Sequence, residues 1–249
     1  MKKIKSALLI VVLAVPMLLT GEIIQLIDVP TAFTILRGYY DIGFVTYPGG
    51  GIQTKISIGL TDRIMLGIIE DIDGAIGNDR AKWSIPGVLA KINIVYPDPE
   101  SMGLALGYDV LSSGLYSKAY NNELTDDLVY GFYMVASKSV MLFKGDQYLH
   151  FGVRFPILPN EARVKGKNIS FYTGLNVIIN PELMLIGEIE NIYLNASRGK
   201  EVLYNLGLKY SFSESLSIGA IFQYTKSKEL NSTDKVSRSL SIEYQNIFY

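Results

Sequence analysis

Histidine occurs once in the chain, at position 150, and this limits the chemistry that the sequence could perform. A single imidazole excludes metal cages of several histidines, and the absence of cysteine excludes thiolate ligands, thiol nucleophiles and disulfides. His150 could still activate a serine if a hydroxyl and an orienting acid lay beside it. Alternation places His150 with Gly152 and Arg154, opposite Leu149 and Phe151. We therefore expect a hydrogen-bonded polar residue and predict no catalytic site, metal or cofactor.

Charged residues on the polar faces of other segments form a second candidate set. Its basic members are Lys55, Arg63, Lys91, Arg154 and Lys209, and its acidic members are Asp41, Asp71, Asp109, Glu188, Glu190 and Glu243. If these faces enclose a space, five basic against six acidic side chains indicate either ion pairs across it or a weakly selective channel. Both interpretations stay open. The candidate lining residues are Asp41, Lys55, Lys91, Asp109, His150, Arg154, Glu188, Lys209 and Glu243.

The elements that must position these side chains are segments of strict alternation. In 52–60, IQTKISIGL, the residues Ile52, Ile56 and Leu60 share one face, while Gln53 and Lys55 share the other. Similar segments recur about twelve times with roughly the length of a tilted strand that crosses a bilayer. After residue 20 no apolar run is long enough for a membrane-spanning helix. The pattern predicts an all-β fold.

Glycine on the polar faces decides between two all-β folds. A secreted sandwich or lipocalin-like barrel would turn the apolar faces inward, and alternation alone allows it. Ten glycines, however, lie on the polar faces: Gly43, Gly59, Gly67, Gly103, Gly107, Gly131, Gly152, Gly174, Gly207 and Gly219. Glycine weakens an exposed strand, whereas the concave side of a curved wall has little room for side chains. We predict a single antiparallel up-and-down transmembrane β-barrel of about twelve strands.

The chain ends and connections give the predicted orientation. Residues 1–20 have a basic start and an apolar run typical of a signal peptide, and residues 21–249 form the barrel. Short and long connections alternate, so both ends of an even-stranded barrel fall in the periplasm. We accordingly expect 21–36 to be a periplasmic N-terminal segment. Without the three lysines of the signal, 20 basic residues face 24 acidic ones, which disfavours a nucleic-acid partner.

Two resemblances support an outer-membrane location. The closing run Asn246-Ile247-Phe248-Tyr249 resembles the terminal strand that outer-membrane assembly machinery recognises, and this implies that machinery as a partner. The runs DVPTAFTILRGYYDIGFVTYPGGG, GLTDRIMLGI, PGVLAKINIV and ALGYD, within 27–110, resemble poorly characterised YjbH-like barrels related to exopolysaccharide. The resemblance implies location more than activity, and it brings no catalytic motif.

The function expected from these features is a small passive channel or transport-associated pore. The alternative is a structural or surface-interaction barrel, linked to polysaccharide export, whose lumen is filled by Tyr39, Tyr133, Tyr172 and paired charges. An outer-membrane lipid hydrolase that uses His150 is the third hypothesis. Outer-membrane lipids are expected partners in every case, together with a small solute or a polysaccharide. Single-channel conductance separates the first two hypotheses.

Overall fold

The computed structural model describes most of the chain from residue 23 onward. The described ranges are 23–47, 50–78, 80–112, 129–141, 147–157, 169–193, 201–227 and 235–248. The expected signal peptide, Tyr249 and most of the long connections lie outside these ranges. Within them, no helix has the length and apolar character of a membrane span.

The described residues contain thirteen strands, which form a single sheet. Their bounds are β1 Tyr39–Tyr47, β2 Gly51–Thr61, β3 Ile64–Asp73, β4 Lys82–Trp83, β5 Gly87–Val95, β6 Gly103–Ser112, β7 Val129–Val140, β8 Gln147–Ile157, β9 Ser170–Asn180, β10 Leu183–Tyr193, β11 Glu201–Ser211, β12 Leu216–Ser227 and β13 Lys235–Ile247. The two residues of β4 extend the sheet only at the far end of β3. The other twelve strands build the barrel wall.

The sheet closes on itself through its first and last strands. Each wall strand pairs antiparallel with its neighbours in sequence, and β1 pairs with both β2 and β13. In that closing pair Tyr39 lies opposite Ile247 and Val45 lies opposite Ser241. Among the described residues, closure pairs every wall strand on both sides, which is a requirement for a β-structure in hydrocarbon. The predicted twelve-stranded antiparallel barrel is confirmed.

The outer surface of the barrel is apolar. Large side chains that point outward remain exposed, for example Ile68 at 52%, Phe132 at 56% and Leu206 at 52%. Their neighbours along the strands point inward and are buried, because successive residues of a strand alternate between its faces. A continuous exposed apolar belt around a polar interior is the surface that a bilayer covers. The apolar faces therefore point outward, as the glycine pattern predicts.

The chain before β1 enters the barrel and turns back inside it. We call residues 23–37 the inner hairpin. Its two limbs are joined by a bridge between Gln25 and Pro30 and by a hydrogen bond from the Thr31 amide to the Ile24 carbonyl, 3.2 Å long. Val29, Ala32 and Ile35 are completely buried. Residues 23–36, which were expected as part of a periplasmic N-terminal segment, pack inside the barrel, where these apolar residues are buried. The division of the chain at residues 20 and 21 stays a prediction.

Inward-facing glycines make room for the inner hairpin. A Cβ atom added at Gly59 in β2 would lie 2.0 Å from the Leu36 carbonyl oxygen. One added at Gly174 in β9 would lie 2.4 Å from Leu26 Cδ1. These distances are shorter than van der Waals contact, so a larger residue would displace the hairpin. Sequence analysis attributed these glycines to the limited room on the concave side of the wall, and at these positions the hairpin occupies that room.

The packing at Gly59 predicts the effect of adding a single methyl group. Gly59→Ala should lower the free energy of unfolding by about 1–3 kcal/mol, because its Cβ would collide with backbone and not with a flexible side chain. The measurement is urea unfolding in lipid vesicles, followed by the mobility shift of folded barrel on a gel. Gly187→Ala in β10 is the control, since nothing lies within 4 Å of its added Cβ. Equal stability of the two variants would contradict the packing.

Candidate functional site in the barrel lumen

The structure brings the candidate lining residues to the inner side of the wall. Lys91, His150, Arg154 and Glu188 are buried beneath the inner hairpin. The other five border open space beside the hairpin: Asp41, Lys55, Asp109, Lys209 and Glu243. Arg63, in contrast, is exposed in the turn between β2 and β3 and does not face the lumen. The turn interrupts the alternation of the strand at Arg63, so the expected set of lumen-facing charges loses one basic member and becomes more acidic.

The tip of the inner hairpin is held by one carboxylate. The backbone amides of Ile27, Asp28 and Val29 all donate to the Glu188 carboxylate of β10, at 3.2, 3.0 and 3.2 Å. Three successive N–H groups that converge on an anion form a concave anion-binding turn. Asn205 of β11 donates a further hydrogen bond to the same carboxylate at 2.6 Å. Glu188 therefore joins the hairpin tip to the barrel wall.

A second layer of polar contacts surrounds this carboxylate. Arg154 of β8 forms an ion pair with Glu190 of β10 and donates to the Asp28 carbonyl oxygen at 2.6 Å. Gln223 of β12 donates to the Asp28 carboxylate at 3.1 Å. The Arg154 guanidinium also lies over the Tyr172 ring, 4.9 Å from its centre. The hairpin tip thus connects strands that are not neighbours in the sheet.

The carboxylates of Asp28, Glu188 and Glu190 are the group within the described residues that could in principle hold a cation. Their oxygen atoms lie within 4.8 Å of one another. Hard cations prefer such oxygen ligands. Here, however, hairpin amides, Asn205 and the Arg154 guanidinium already occupy the carboxylates. The cluster serves to bind the hairpin, and we assign no metal to it.

The returning limb of the hairpin binds the opposite wall. The Lys91 ammonium of β5 donates to the carbonyl oxygens of Ile24 at 2.6 Å and Phe33 at 2.9 Å. Asn93, also in β5, donates to the Ala32 carbonyl oxygen. Lys91 therefore holds the two limbs together, since one carbonyl belongs to each. A buried ammonium with these partners is a positioning group for the hairpin.

His150 belongs to a chain of hydrogen bonds that ends on the hairpin. Ala32 donates its amide to Ser137 Oγ at 2.8 Å, and Ser137 Oγ lies 2.7 Å from His150 Nδ1. Since the amide uses the serine oxygen as acceptor, the hydroxyl proton points to Nδ1, and Nε2 carries the ring proton. His150 Nε2 then donates to Asn176 Oδ1 at 2.9 Å. Both ring nitrogens are engaged.

This Ser–His–Asn order resembles the arrangement of a hydrolase relay, but its surroundings differ. Ser137 and His150 have no exposed surface, and Asn176 retains 1%. The Ser137 oxygen is covered by the hairpin amide, and the outer, lipid-contacting side of the wall lies on the opposite face of the strand. Within the described residues, Ser137 has no exposed surface that a lipid substrate could contact. The arrangement positions the hairpin.

Open space remains on one side of the hairpin. We call it the lumen crevice, and it lies between hairpin residues 24–27 and the wall around Asp41, Lys55 and Glu243. Its main part has about 750 Å³ of non-atom space, including the part that opens to solvent. Neighbouring clefts toward the turns at 181–182 and 212–215, and toward β12, share Glu243 with it. Lys55 pairs with Asp109 at 3.6 Å, and Lys209 pairs with Glu243.

Sequence reasoning missed the hairpin and its binding residues. Alternation assigns Ser137, Asn176, Asn205 and Gln223 to the polar faces, but it cannot identify which of them meets the chain inside the barrel. The one local signal was the run 26–35, which is apolar without alternating and contains a Val-Pro step that favours a turn. Such a run in an exported chain needs burial, and the lumen is the enclosed space available.

Comparisons with known proteins agree with this fold. No protein-family model and no curated protein sequence matches the chain. Among solved structures, a KdgM porin superposes with a TM-score of 0.51 at 12% identity, over 83% of this chain and 98% of that one. A KdgM porin in complex with disordered oligogalacturonate gives 0.52 at 11% identity, over the same shares. An outer-membrane channel of Pseudomonas putida F1 gives 0.50 at 9% identity, over 86% and 98%.

Identities this low establish the fold and not the solute. The chain has the fold of bacterial outer-membrane β-barrels, as its sequence pattern predicts. The matched structures belong to this general kind, and none of them shows the YjbH-like link that the 27–110 segment implies. The fold and the apolar belt together define an outer-membrane barrel that contains its own N-terminal segment.

The contacts at the hairpin tip predict the effect of removing one charge. Glu188→Gln should lower the free energy of opening the hairpin by about 2 kcal/mol, since hydrogen bonds to a charged acceptor become hydrogen bonds to a neutral one. Hydrogen exchange at the amides of Ile27, Asp28 and Val29 measures this change. Glu243→Gln, which removes a lumen carboxylate that does not bind the hairpin amides, should leave their exchange unchanged. Faster exchange in both variants, or in neither, would contradict the conclusion that Glu188 holds the hairpin amides.

Proposed function

We propose that this barrel is a passive channel for small solutes, and that its aqueous path follows the lumen crevice beside the inner hairpin. The observation that carries the proposal is the polar, charged crevice that the hairpin leaves open on one side of the lumen. A barrel of twelve strands is wider than eight-stranded barrels, whose interiors side chains fill, and narrower than 16-stranded porins. A partial filling therefore leaves a path of small-solute width.

The position of the hairpin supports this path. Its hydrogen bonds are concentrated on Lys91 of β5, Ser137 of β7, Arg154 of β8 and Glu188 of β10. Further hydrogen bonds come from Lys55 of β2 and Gln223 of β12. A smaller cleft borders β10 to β13, and the lumen crevice continues along residues of β3, β5, β6 and β7 from the side formed by β1, β2 and β13. Gly43 belongs to that side, and a Cβ added to it would meet only the Glu243 side chain, at 4.0 Å.

The second candidate function is a barrel with a closed lumen and a structural or surface-interaction role. The hairpin favours it, because its apolar residues pack with Tyr133 and Tyr172 in a continuous core cluster within the lumen. Tyr39, which was expected to help fill the lumen, is only half-buried at the start of β1 and is not part of that cluster. For this second candidate we also propose a link to polysaccharide export. For both candidates we propose contact with outer-membrane lipids and assembly by the outer-membrane machinery, which would recognise the closing strand through Phe248 and Tyr249.

Single-channel recording separates the two candidates and tests the path. The refolded protein should give stable conductance steps in a planar bilayer. Gly43→Leu should reduce the step by roughly half or more, because its side chain would project into the crevice. Gly187→Leu adds the same side chain on the outward face of β10 and should leave the conductance unchanged. A correctly folded barrel without any steps would favour the closed structural barrel.

A disulfide can show whether the hairpin stays in place while the channel conducts. Ala32→Cys together with Ser137→Cys introduces two thiols where the Ala32 amide and Ser137 Oγ are 2.8 Å apart, in a chain without native cysteine. We expect the same conductance before and after oxidation, since the crevice does not require the hairpin to move. The two single-cysteine variants are the controls. Steps that occur only after reduction would show that the hairpin itself blocks the path.

A further inference from the structure

Carboxylates outnumber amines along the lumen crevice. In the described part of the chain, the crevice is lined by Asp41, Asp109 and Glu243 against Lys55 and Lys91. The neighbouring cleft at the turns adds Glu182 and Glu214 against Lys209. Two of the lysines are neutralised locally, because Lys55 pairs with Asp109 and Lys209 pairs with Glu243. Lys91 is 5% exposed and points to hairpin carbonyls. The surface that a solute meets is therefore acidic.

The remaining carboxylates lie toward the periplasmic end. Glu182 lies in the turn between β9 and β10, and Glu214 lies in the turn between β11 and β12. Asp41 of β1 lines the same cleft, farther from this end of the barrel. Glu182 accepts a hydrogen bond from the Tyr210 hydroxyl at 3.0 Å, which leaves its charge in place. Among the described lining residues of this mouth, Lys209 is the sole basic side chain. A narrow passage with walls of low dielectric strengthens the field of such unbalanced charges.

The wall also offers an unused hydrogen-bond donor. Gln53 of β2 lines the crevice and is 6% exposed, and its Nε2 meets no acceptor within the described residues. A buried amide nitrogen without a partner is costly, and water or a ligand oxygen commonly satisfies it. This donor fits a hydroxyl or carbonyl oxygen of a solute. It is independent of the carboxylates, since it belongs to a different strand and carries no charge.

We infer that the lumen crevice selects small organic cations that also carry a hydroxyl or carbonyl oxygen. The inference rests on the proposed channel function and names its solute class. Asp41, Glu182 and Glu214 attract the cationic group near the periplasmic end. Gln53 pairs with Val45, four residues farther along β1 than Asp41, and donates to the oxygen at a later point of the path. An acidic sugar such as the oligogalacturonate named with the KdgM porin would be repelled by this lining. The likeness to that porin is one of fold, and the acidic lining of this barrel favours cations.

Reversal potentials in a potassium chloride gradient test the charge preference. A negative potential of about one kT enriches potassium by roughly 2.7-fold and depletes chloride by the same factor, so we expect roughly sevenfold preference for potassium in the unmodified channel. The combined variant Asp41→Asn, Glu182→Gln and Glu214→Gln should bring this ratio close to one. The matched control Glu70→Gln, Asp73→Asn and Glu100→Gln removes the same charge from outside the described crevice lining and should keep the preference.

Two cations that differ by one hydroxyl test the donor. Ethanolammonium should permeate about twofold better than ethylammonium, because a single neutral hydrogen bond contributes about 0.5 kcal/mol or more. Gln53→Leu, which removes the donor and keeps a side chain of similar length, should abolish that difference while potassium selectivity remains.

The outcomes distinguish this inference from the proposed function. A conducting channel that shows no cation preference, or whose preference survives the triple neutralisation, would overturn the inference and leave the channel function standing. Equal permeation of the two ammonium ions in the unmodified protein would overturn the role of Gln53. A folded barrel that does not conduct would remove the channel function and this inference with it.

Discussion

Polar groups that are enclosed inside a barrel lose their hydration, so most of them must find partners, and this constraint shapes the lumen of this protein. The inner hairpin and the wall supply each other with hydrogen-bond donors and acceptors. Three hairpin amides need acceptors once the segment leaves water, and Glu188 needs donors once it is enclosed. Each would be costly alone, because a buried polar group without a partner loses its hydration and gains nothing. The hairpin is therefore as much a part of the folded barrel as any strand.

Local pattern predicts the wall of this barrel well because the wall is a local structure. A strand that separates lipid from lumen must alternate, so segments such as 52–60 reveal both their conformation and their inward residues. The hairpin follows no such rule. Residues 26–35 are almost entirely buried on both faces, and a segment buried on both faces shows no alternation of polar and apolar residues. Parity correctly placed the start of β1 beside the end of β13, as the pairing of Tyr39 with Ile247 shows, but it says nothing of a segment that turns back into the lumen.

His150 also shows that the sequence predicts the face of a strand on which a residue lies but not the residues that it contacts. Its register identifies the inward face, because Leu149 and Phe151 must face lipid. Its partners, Ser137 and Asn176, come from β7 and β9 on either side of its own strand. Which residues lie across from it depends on strand register, and register follows from the connections and the closure of the whole barrel. Sequence reasoning could therefore name the histidine as a lumen residue, while the hydrogen-bond chain that reaches Ala32 required the structure.

A filled lumen and a conducting one are compatible here because the filling is asymmetric. The donors and acceptors that hold the hairpin lie mainly on β5, β7, β8 and β10, so the segment leans toward that side. Glycine at position 43 and the charged pairs of Lys55 and Lys209 line the side that is left. A path bounded by a hairpin and by side chains brings a solute close to its charged walls, where charge and hydrogen-bond donors act at short range. In such a channel the inner hairpin narrows the lumen, and because of this narrowing the charged side chains of the wall can discriminate between solutes.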